Sequence, residues 1–265
     1  MAVTFATTSV AASQLINLGT ANDILSTGGS MSISWWTLIT GTVPHGIRMF
    51  QRRDTASIGQ GIIIRGDNGA NGRSMSVQID GVVTNLSHLT TDNTIVFGSW
   101  QHWVFTWNGT TAALQAKFYV NGAEPAYLNT TDGNTIVDNT GNVTIVGNDS
   151  AGVNPCYGRM DEIYFWNSVI STASISILYN SRIKGIGLRL ETANLVSYLP
   201  LDDVANGVSG DGATFRDRWG TNPGTGTNGT TDAGMLGVQY DKISYLLQND
   251  KNRGICRGVM GGGIS

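Results

Sequence analysis

Carboxylates that could pair for acid–base catalysis are scarce in this chain. The sequence holds only three glutamates, Glu124, Glu162 and Glu191. Hydrolysis of a glycosidic bond requires one carboxylic acid as general acid and a second carboxylate as nucleophile or base. Asp161 and Glu162 are adjacent, and adjacent residues of a strand point to opposite faces, so we expect that they cannot form this pair. The sequence therefore predicts a protein that is not an enzyme.

Other catalytic signatures are absent from the sequence. It contains no G-x-S-x-G nucleophile motif, no H-E-x-x-H motif, no Walker-type phosphate loop and no cluster of cysteine and histidine. The three histidines, His45, His88 and His102, are far apart in the sequence. His102 lies within the aromatic run Trp100–Trp107, where we expect a half-buried strand histidine rather than a catalytic base.

The same aromatic run contains three bulky rings at alternate positions, Trp103, Phe105 and Trp107. Alternation places all three on one face of a strand, so we expect them in the core. A platform on which a sugar stacks would require at least one of these rings to be exposed.

The net charge of the chain offers no electrostatic attraction to an anionic partner. The chain has 16 Lys+Arg and 19 Asp+Glu, for a formal net charge of −3. Such a balance carries no electrostatic footprint for nucleic acid or for an anionic membrane, and we predict neither partner. Arg48, Arg52 and Arg53 form the one basic cluster. A solvated strand end, an anion site and pairing with Asp54 are the alternatives for it.

The elements that would position these residues are short antiparallel strands. Only 13% of residues are charged and 35 are glycine, whereas helical proteins rely on Lys, Glu and Arg for their solvent-facing sides. Asn121-Gly122 supplies the positive φ values of a type I′ turn. Apolar and polar residues alternate in short runs up to about residue 168, which predicts an all-β antiparallel sandwich. The strand candidates are Ser32–Ile39, Gly61–Arg65, Ser74–Asp80, Trp100–Trp107, Lys117–Val120, Asn142–Val146 and Gly158–Trp166.

One short helix and a C-terminal extension complete the predicted organisation. Ser171 is the expected N-cap of a helix whose apolar residues continue at helical spacing up to Gly185. We divide the chain into a β-sandwich over residues 1–185, a strand and loop over 186–220, and a Gly-rich extension over 221–265. The strand candidate Asn194–Leu201 either packs back on the same sandwich or reaches a neighbouring subunit. Gln239–Leu247 is the last ordered candidate.

Four segments and the end of the helix carry a resemblance to a known family. The chain resembles the laminin-G-like, concanavalin-A-like jelly-roll family over residues 1–182. The resemblance implies two curved antiparallel sheets packed face to face. The family's hydrolases place two carboxylates at even spacing on one strand, and no E-x-D-x-x-E pattern occurs here. The matching segments are Ser32–Trp36, Trp100–Gly109, Phe118–Gly122 and Gly158–Asn167, followed by Leu178-Tyr179-Asn180; a further family-like stretch, Leu195–Asp203, lies after the domain instead of before it.

The resemblance also implies candidate ligands for a calcium ion. Jelly rolls of this family often hold Ca²⁺ on loops, because the ion takes six to eight oxygen ligands. The candidate ligands here are Asp161, Asp67 with Asn68, and Asp149 with Asn148. The alternative is that these side chains only cap turns of their own backbone.

Two non-enzymatic functions fit these observations. The first is a virion surface structural protein, either a capsid decoration (cement) protein or a fibre or tail component. The sequence starts at Met1 without a signal peptide, is poor in charge and ends in a Gly-rich stretch. Its partners would be other virion proteins and copies of itself, and it would be made in a host cytoplasm. The alternative is a carbohydrate-binding, lectin-like module for host or surface glycans, located outside the cell or at its surface.

Overall fold

The computed structural model describes residues 2–5, 14–20, 24–40, 46–53, 61–67, 73–181, 183–203, 211–227 and 231–232. Within these ranges the chain forms sixteen strands and one α-helix, and no helix there is long and apolar enough to cross a membrane. The strands are β1 (Val3–Thr4), β2 (Leu15–Asn17), β3 (Met31–Ile39), β4 (Ile47–Arg53), β5 (Gly61–Asp67), β6 (Ser74–Ile79), β7 (Leu86–Thr90), β8 (Trp100–Trp107), β9 (Ala116–Val120), β10 (Tyr127–Thr131), β11 (Thr144–Val146), β12 (Gly158–Trp166), β13 (Leu195–Leu199), β14 (Thr214–Phe215), β15 (Gly224–Thr227) and β16 (Thr231–Asp232). Helix α1 spans Thr172–Asn180, and short 3-10 helices span Ala113–Gln115, Ile186–Arg189 and Thr192–Asn194.

The strands form two antiparallel sheets. In the described residues, one sheet has seven strands in the order β16-β1-β12-β3-β8-β9, with β13 also pairing with β12. The other has nine strands in the order β10-β7-β6-β5-β4-β11-β2-β15-β14. The predicted all-β sandwich with one short helix is confirmed.

The core lies between the two sheets and is rich in aromatic rings. Trp103, Phe105 and Trp107 of β8 are fully buried in it, which confirms the prediction from their alternation. Trp35 of β3 stacks on Trp103 with 6.4 Å between ring centroids. Trp35 also meets Phe50 of the opposite sheet edge to face at 5.0 Å. Such pairs add to the stability that buried area supplies, so the rings hold the two sheets together.

Local sequence signals place several elements correctly. Ser171 is the N-cap of α1, and its side chain accepts a hydrogen bond from the backbone of Ser174. Asn121 and Gly122 have φ values of 51° and 83°, as a type I′ turn requires. The helix ends at Asn180, earlier than the predicted limit near Gly185.

The segment after the helix belongs to both sheets. Strand β13 pairs with β12 of the same chain, and β15 pairs with β2. Strand β14 pairs with β15, and β16 pairs with β1. The four strands β13 to β16 therefore add to both sheets of the sandwich, while the strand candidate Gln239–Leu247 lies outside the described residues.

The basic cluster on β4 does not form a solvated strand end. Arg52 is buried, and its Nη1 donates to the backbone oxygen of Ile24 at 2.7 Å. Arg53 Nε lies 3.0 Å from Asp80 Oδ2. The prediction of a solvated end is therefore wrong for Arg52, because the loop that precedes β3 covers it. Asp54 lies outside the described residues.

Candidate functional site

A β-bulge in β12 gathers charged side chains beneath the segment that follows α1. The pairing with β3 shifts register between Asp161 and Tyr164, and Glu162 at the bulge has a φ of 52°. Asp161 Oδ1 and Glu162 Oε1 each lie 3.5 Å from Nζ of Lys184. The expectation that the two adjacent carboxylates point to opposite faces is therefore wrong, because the extra residue of the bulge interrupts the strand alternation.

The carboxylate of Glu162 is fully engaged by neighbouring donors. The Tyr164 hydroxyl donates to Oε2 at 2.6 Å, and the Tyr198 hydroxyl donates to Oε1 at 2.5 Å. The backbone N–H of Gly185 also donates to Oε2, at 2.8 Å. The two tyrosines face each other across β12 and β13, with ring centroids 4.4 Å apart and planes 6° from parallel. Burial raises the pKa of both hydroxyls well above the ordinary value.

The surroundings of Asp161 favour its neutral form, whereas those of Lys184 favour its charged form. Burial raises the pKa of Asp161 to about 8, against the lowering effect of the Lys184 charge, and the Glu162 charge adds to the rise. Burial lowers the pKa of Lys184, but the charges of Asp161, Glu162 and Asp202 outweigh it and leave that pKa above the ordinary value. The lysine also donates to the Pro200 backbone oxygen at 3.0 Å. Lys184 is thus a fixed cation that holds buried acids together.

A small cavity opens beside this cluster, and its most unusual wall group is His102. The ring is only 1% exposed, and its Nε2 lies 2.8 Å from the Ser34 hydroxyl. Its Nδ1 has no hydrogen-bond partner within the described ranges. Burial lowers the pKa of His102 to about 3, so the ring is neutral at physiological pH. The cavity is lined by Ser34, Trp36, His102, Glu162, Tyr164, Leu178, Ile183 and Ile186.

Two half-buried aromatic rings, Trp36 of the cavity lining and the neighbouring Tyr179, lie against His102. Trp36 and Tyr179 stack with 6.1 Å between ring centroids, and each lies within 6.2 Å of the His102 ring. The Asn121-Gly122 turn supports them. Asn121 Oδ1 accepts the His102 backbone N–H at 3.0 Å, and a Cβ at Gly122 would come within 3.1 Å of the Tyr179 ring. His102 is therefore fully buried, not half-buried as predicted.

The candidate calcium ligands lie apart. Asp161 belongs to the cluster on β12, and Asp67 ends β5. Asp149 Oδ1 accepts the Val153 backbone N–H at 2.9 Å, and its Oδ2 accepts the side-chain amide of Asn154. Asn148 Oδ1 likewise accepts two backbone N–H groups of its own loop, at 2.8 and 2.9 Å.

Asn148 and Asp149 therefore make the contacts expected of side chains that cap turns of their own backbone, which is the alternative to calcium binding given above. Among the residues that the structure describes, no three His, Cys, Asp or Glu side chains are grouped to hold a metal ion. Asn68 lies outside the described residues, and calcium binding stays a prediction.

This fold and its cavity define a lectin-like jelly roll. A family model described as the concanavalin A-like lectin/glucanases superfamily (Laminin_G_3) matches residues 11–176. The chain belongs to this superfamily, as the resemblance implied.

Several solved structures are similar to this chain at low sequence identity. A candidate carbohydrate-binding protein from Bacteroides ovatus matches with a TM-score of 0.56 and 16% identity, over 90% of this chain and 61% of that one. A heptameric SAP-like pentraxin from Limulus polyphemus matches with a TM-score of 0.49 and 13% identity, over 68% and 81% of the two chains. Domain 4 of an arabinanase from Geobacillus stearothermophilus, in complex with arabinotriose, matches with a TM-score of 0.46 and 15% identity, over 67% and 81%. Among curated proteins, no sequence matches this chain.

Proposed function

We propose that this protein is a non-enzymatic, lectin-like module that binds carbohydrate at the cavity beside α1. The observation that carries the proposal is the unpaired Nδ1 of buried His102, next to the half-buried rings of Trp36 and Tyr179. A sugar presents an apolar C–H face and a rim of hydroxyls. Aromatic rings suit the first, and a neutral imidazole nitrogen suits the second.

The size and charge of the cavity favour one hydroxyl of a neutral sugar. The free space at its centre suits about one water-sized group, so a whole ring would stay outside against Trp36 and Tyr179. The imidazole carries no charge at physiological pH, since its pKa is lowered to about 3. The nearby Glu162 carboxylate already has three donors, and an acidic sugar would be repelled by it.

The same geometry argues against glycoside hydrolysis in the cavity. The bulge brings Asp161 and Glu162 to the same lysine, but both carboxylates are buried. A hydrolase must place a sugar ring between its two carboxyl groups, and the cavity has no room for one. The described relation of the Bacteroides protein to carbohydrate supports binding, whereas the description of the superfamily covers both lectins and glucanases.

A glycan array probed with the full chain tests the proposal, once with calcium and once with chelator. We expect binding to neutral glycans. We then expect Trp36→Ala to weaken binding at least tenfold in titration calorimetry, whereas Trp36→Phe, which keeps a ring, retains most of it. Leu128→Ala, an exposed change on β10, is the matched control and should have no effect. Loss of binding only in the presence of chelator would show that binding requires calcium. A chain that binds no glycan in either condition overturns the proposal.

The virion-surface role, with the partners and location that belong to it, stays a prediction. Neither the fold nor the similar proteins above bear on it specifically.

A further inference from the structure

A second aromatic group lies in the C-terminal segment and is not among the residues that line the cavity. Trp219 is 44% exposed. Its indole Nε1 donates to the Leu195 backbone oxygen at 2.8 Å, so the ring is held in one orientation while one side faces solvent. An exposed ring that is fixed in place loses little conformational freedom when a ligand stacks on it.

A single carboxylate shapes the turn that presents this ring. Asp217 accepts the backbone N–H groups of Tyr198, Trp219, Gly220 and Asn222, at 2.9 to 3.1 Å. The turn packs tightly on β13, because a Cβ at Gly220 would come within 2.3 Å of a backbone oxygen of that strand. The segment is therefore built to a fixed shape around Trp219.

Two exposed arginines shortly precede Trp219 in the chain and both pair with acids, Arg218 also with the partly exposed Asp202 at 3.3 Å. Arg216 Nε and Arg218 Nη2 each lie 3.0 Å from Asp203 Oδ1, so the two guanidinium groups converge on one acid. The side chain of Asp203 is 2% exposed, whereas those of Arg216 and Arg218 are 66% and 41% exposed. Within the described part of the chain, no hydrogen bond or ion pair engages Nη1 or Nη2 of Arg216.

We infer that Trp219, Arg216 and Arg218 form a second binding site, which takes an acidic sugar. The apolar face of the sugar stacks on Trp219, and its carboxylate or sulfate group pairs with the free nitrogens of Arg216. Guanidinium groups bind such anions through two parallel hydrogen bonds, which makes the contact directional. This site is independent of the cavity, where the lining groups favour a neutral sugar.

The test measures binding of the full chain to three oligosaccharides of equal length: an oligogalacturonate, a sulfated dextran fragment and the unmodified dextran. We expect both acidic probes to bind, and binding to weaken as salt rises because the contact is between exposed charges. Trp219→Ala and Arg216→Gln should each weaken acidic binding at least fivefold. Trp219→Phe, which keeps the ring, should retain it. Comparison of the carboxylated and sulfated probes identifies which acid group the site prefers.

Two controls separate this inference from the proposed cavity. Trp36→Ala should leave acidic binding unchanged, and so should Lys117→Gln, which removes a half-exposed cation of β9. Equal affinity of the acidic probes for wild type, Trp219→Ala and Arg216→Gln overturns the inference, whatever the glycan array shows. So does a change in sedimentation coefficient on Trp219→Ala without a change in binding, since the ring would then be a contact between copies of the chain.

Discussion

The seven-stranded sheet buries both of its faces, but with different chemistry. Its inner face presents Trp35 and Trp103 to the other sheet, and rings fill the space between them. Its outer face, one residue along the same strands, presents Ser34 and His102 to α1 and the chain that follows it. The inner face is held by close packing of rings, whereas the outer face combines a smaller apolar cluster with buried hydrogen bonds between specific partners. Unpaired polar atoms occur on both faces within the described residues, Nε1 of Trp35 and Trp103 on the inner face and Nδ1 of His102 on the outer face, and the cavity described above lies on the outer face.

Truncating an inner ring should have the largest effect on stability. Trp103→Ala removes a fully buried indole that touches the rings of Trp35 on β3 and Phe118 on β9, and such changes cost about 3–5 kcal/mol. Trp36→Ala, on the outer face of the neighbouring strand, removes a half-buried ring and should cost well under half as much. Urea unfolding followed by tryptophan fluorescence measures both. Equal costs would mean that the two faces are packed alike.

Removing the charge of Glu162 should have the next largest effect. Glu162→Gln keeps the size of the side chain but leaves one of its donors without an acceptor and Lys184 without one counter-charge. We expect a loss of about 2 kcal/mol in the free energy of unfolding. Glu124→Gln is the matched control, because its pair with Lys117 is partly exposed and should contribute almost nothing. A Glu162→Gln variant as stable as that control would show that the buried network is replaceable.

The outer face should also make stability depend on pH. Asp161 binds its proton more tightly in the folded protein, where burial raises its pKa from 3.8 to about 8. Its contribution to stability therefore falls as pH rises through that interval. Asp161→Asn removes this loss, so its stability relative to wild type should improve with rising pH, by up to about 1.4 kcal/mol per unit.

Unfolding at pH 5, 6, 7 and 8 measures this effect of Asp161. Asp138→Asn is the control. Thr140 lowers the pKa of the exposed Asp138 carboxyl, so that change should act only below about pH 4. Parallel curves for wild type and Asp161→Asn over this range would contradict an elevated pKa at Asp161.

The smallest expected effect is a difference in stability cost between alanine substitutions at two buried serines of the same sheet. Ser34→Ala leaves His102 Nε2 without its partner and should cost about 1 kcal/mol. Ser197 is also buried, but its hydroxyl has no partner within the described residues, so Ser197→Ala should cost nothing or stabilise the protein. A larger loss at Ser197 would indicate that burial alone, without partners, sets the cost in this sheet.

Sequence reasoning predicts the inner face better than the outer one. Alternation of large apolar residues in β8 is a local signal, and it places Trp103 and its neighbours correctly. The outer site depends on features without a local signal: a bulge at Glu162, a lysine 22 positions later, and Tyr198 on a strand that arrives after the helix. The alternation of Ser34 and Trp36 was visible in the sequence, but nothing there showed that a helix would cover them.

The order of the strands has a consequence for how the chain folds as it is made. Strand β2 lies between β11 and β15, so both of its partners are synthesised at least about 130 residues after it. At ribosomal rates of about 5–20 residues per second, the edge that pairs with β11 stays open for roughly 6 to 26 s, and the edge that pairs with β15, about 210 residues later, for roughly 10 to 42 s. Pairings this distant in sequence also slow folding after release. The nascent chain therefore carries open strand edges throughout most of its synthesis, and protection from aggregation during that interval is a requirement of this connectivity.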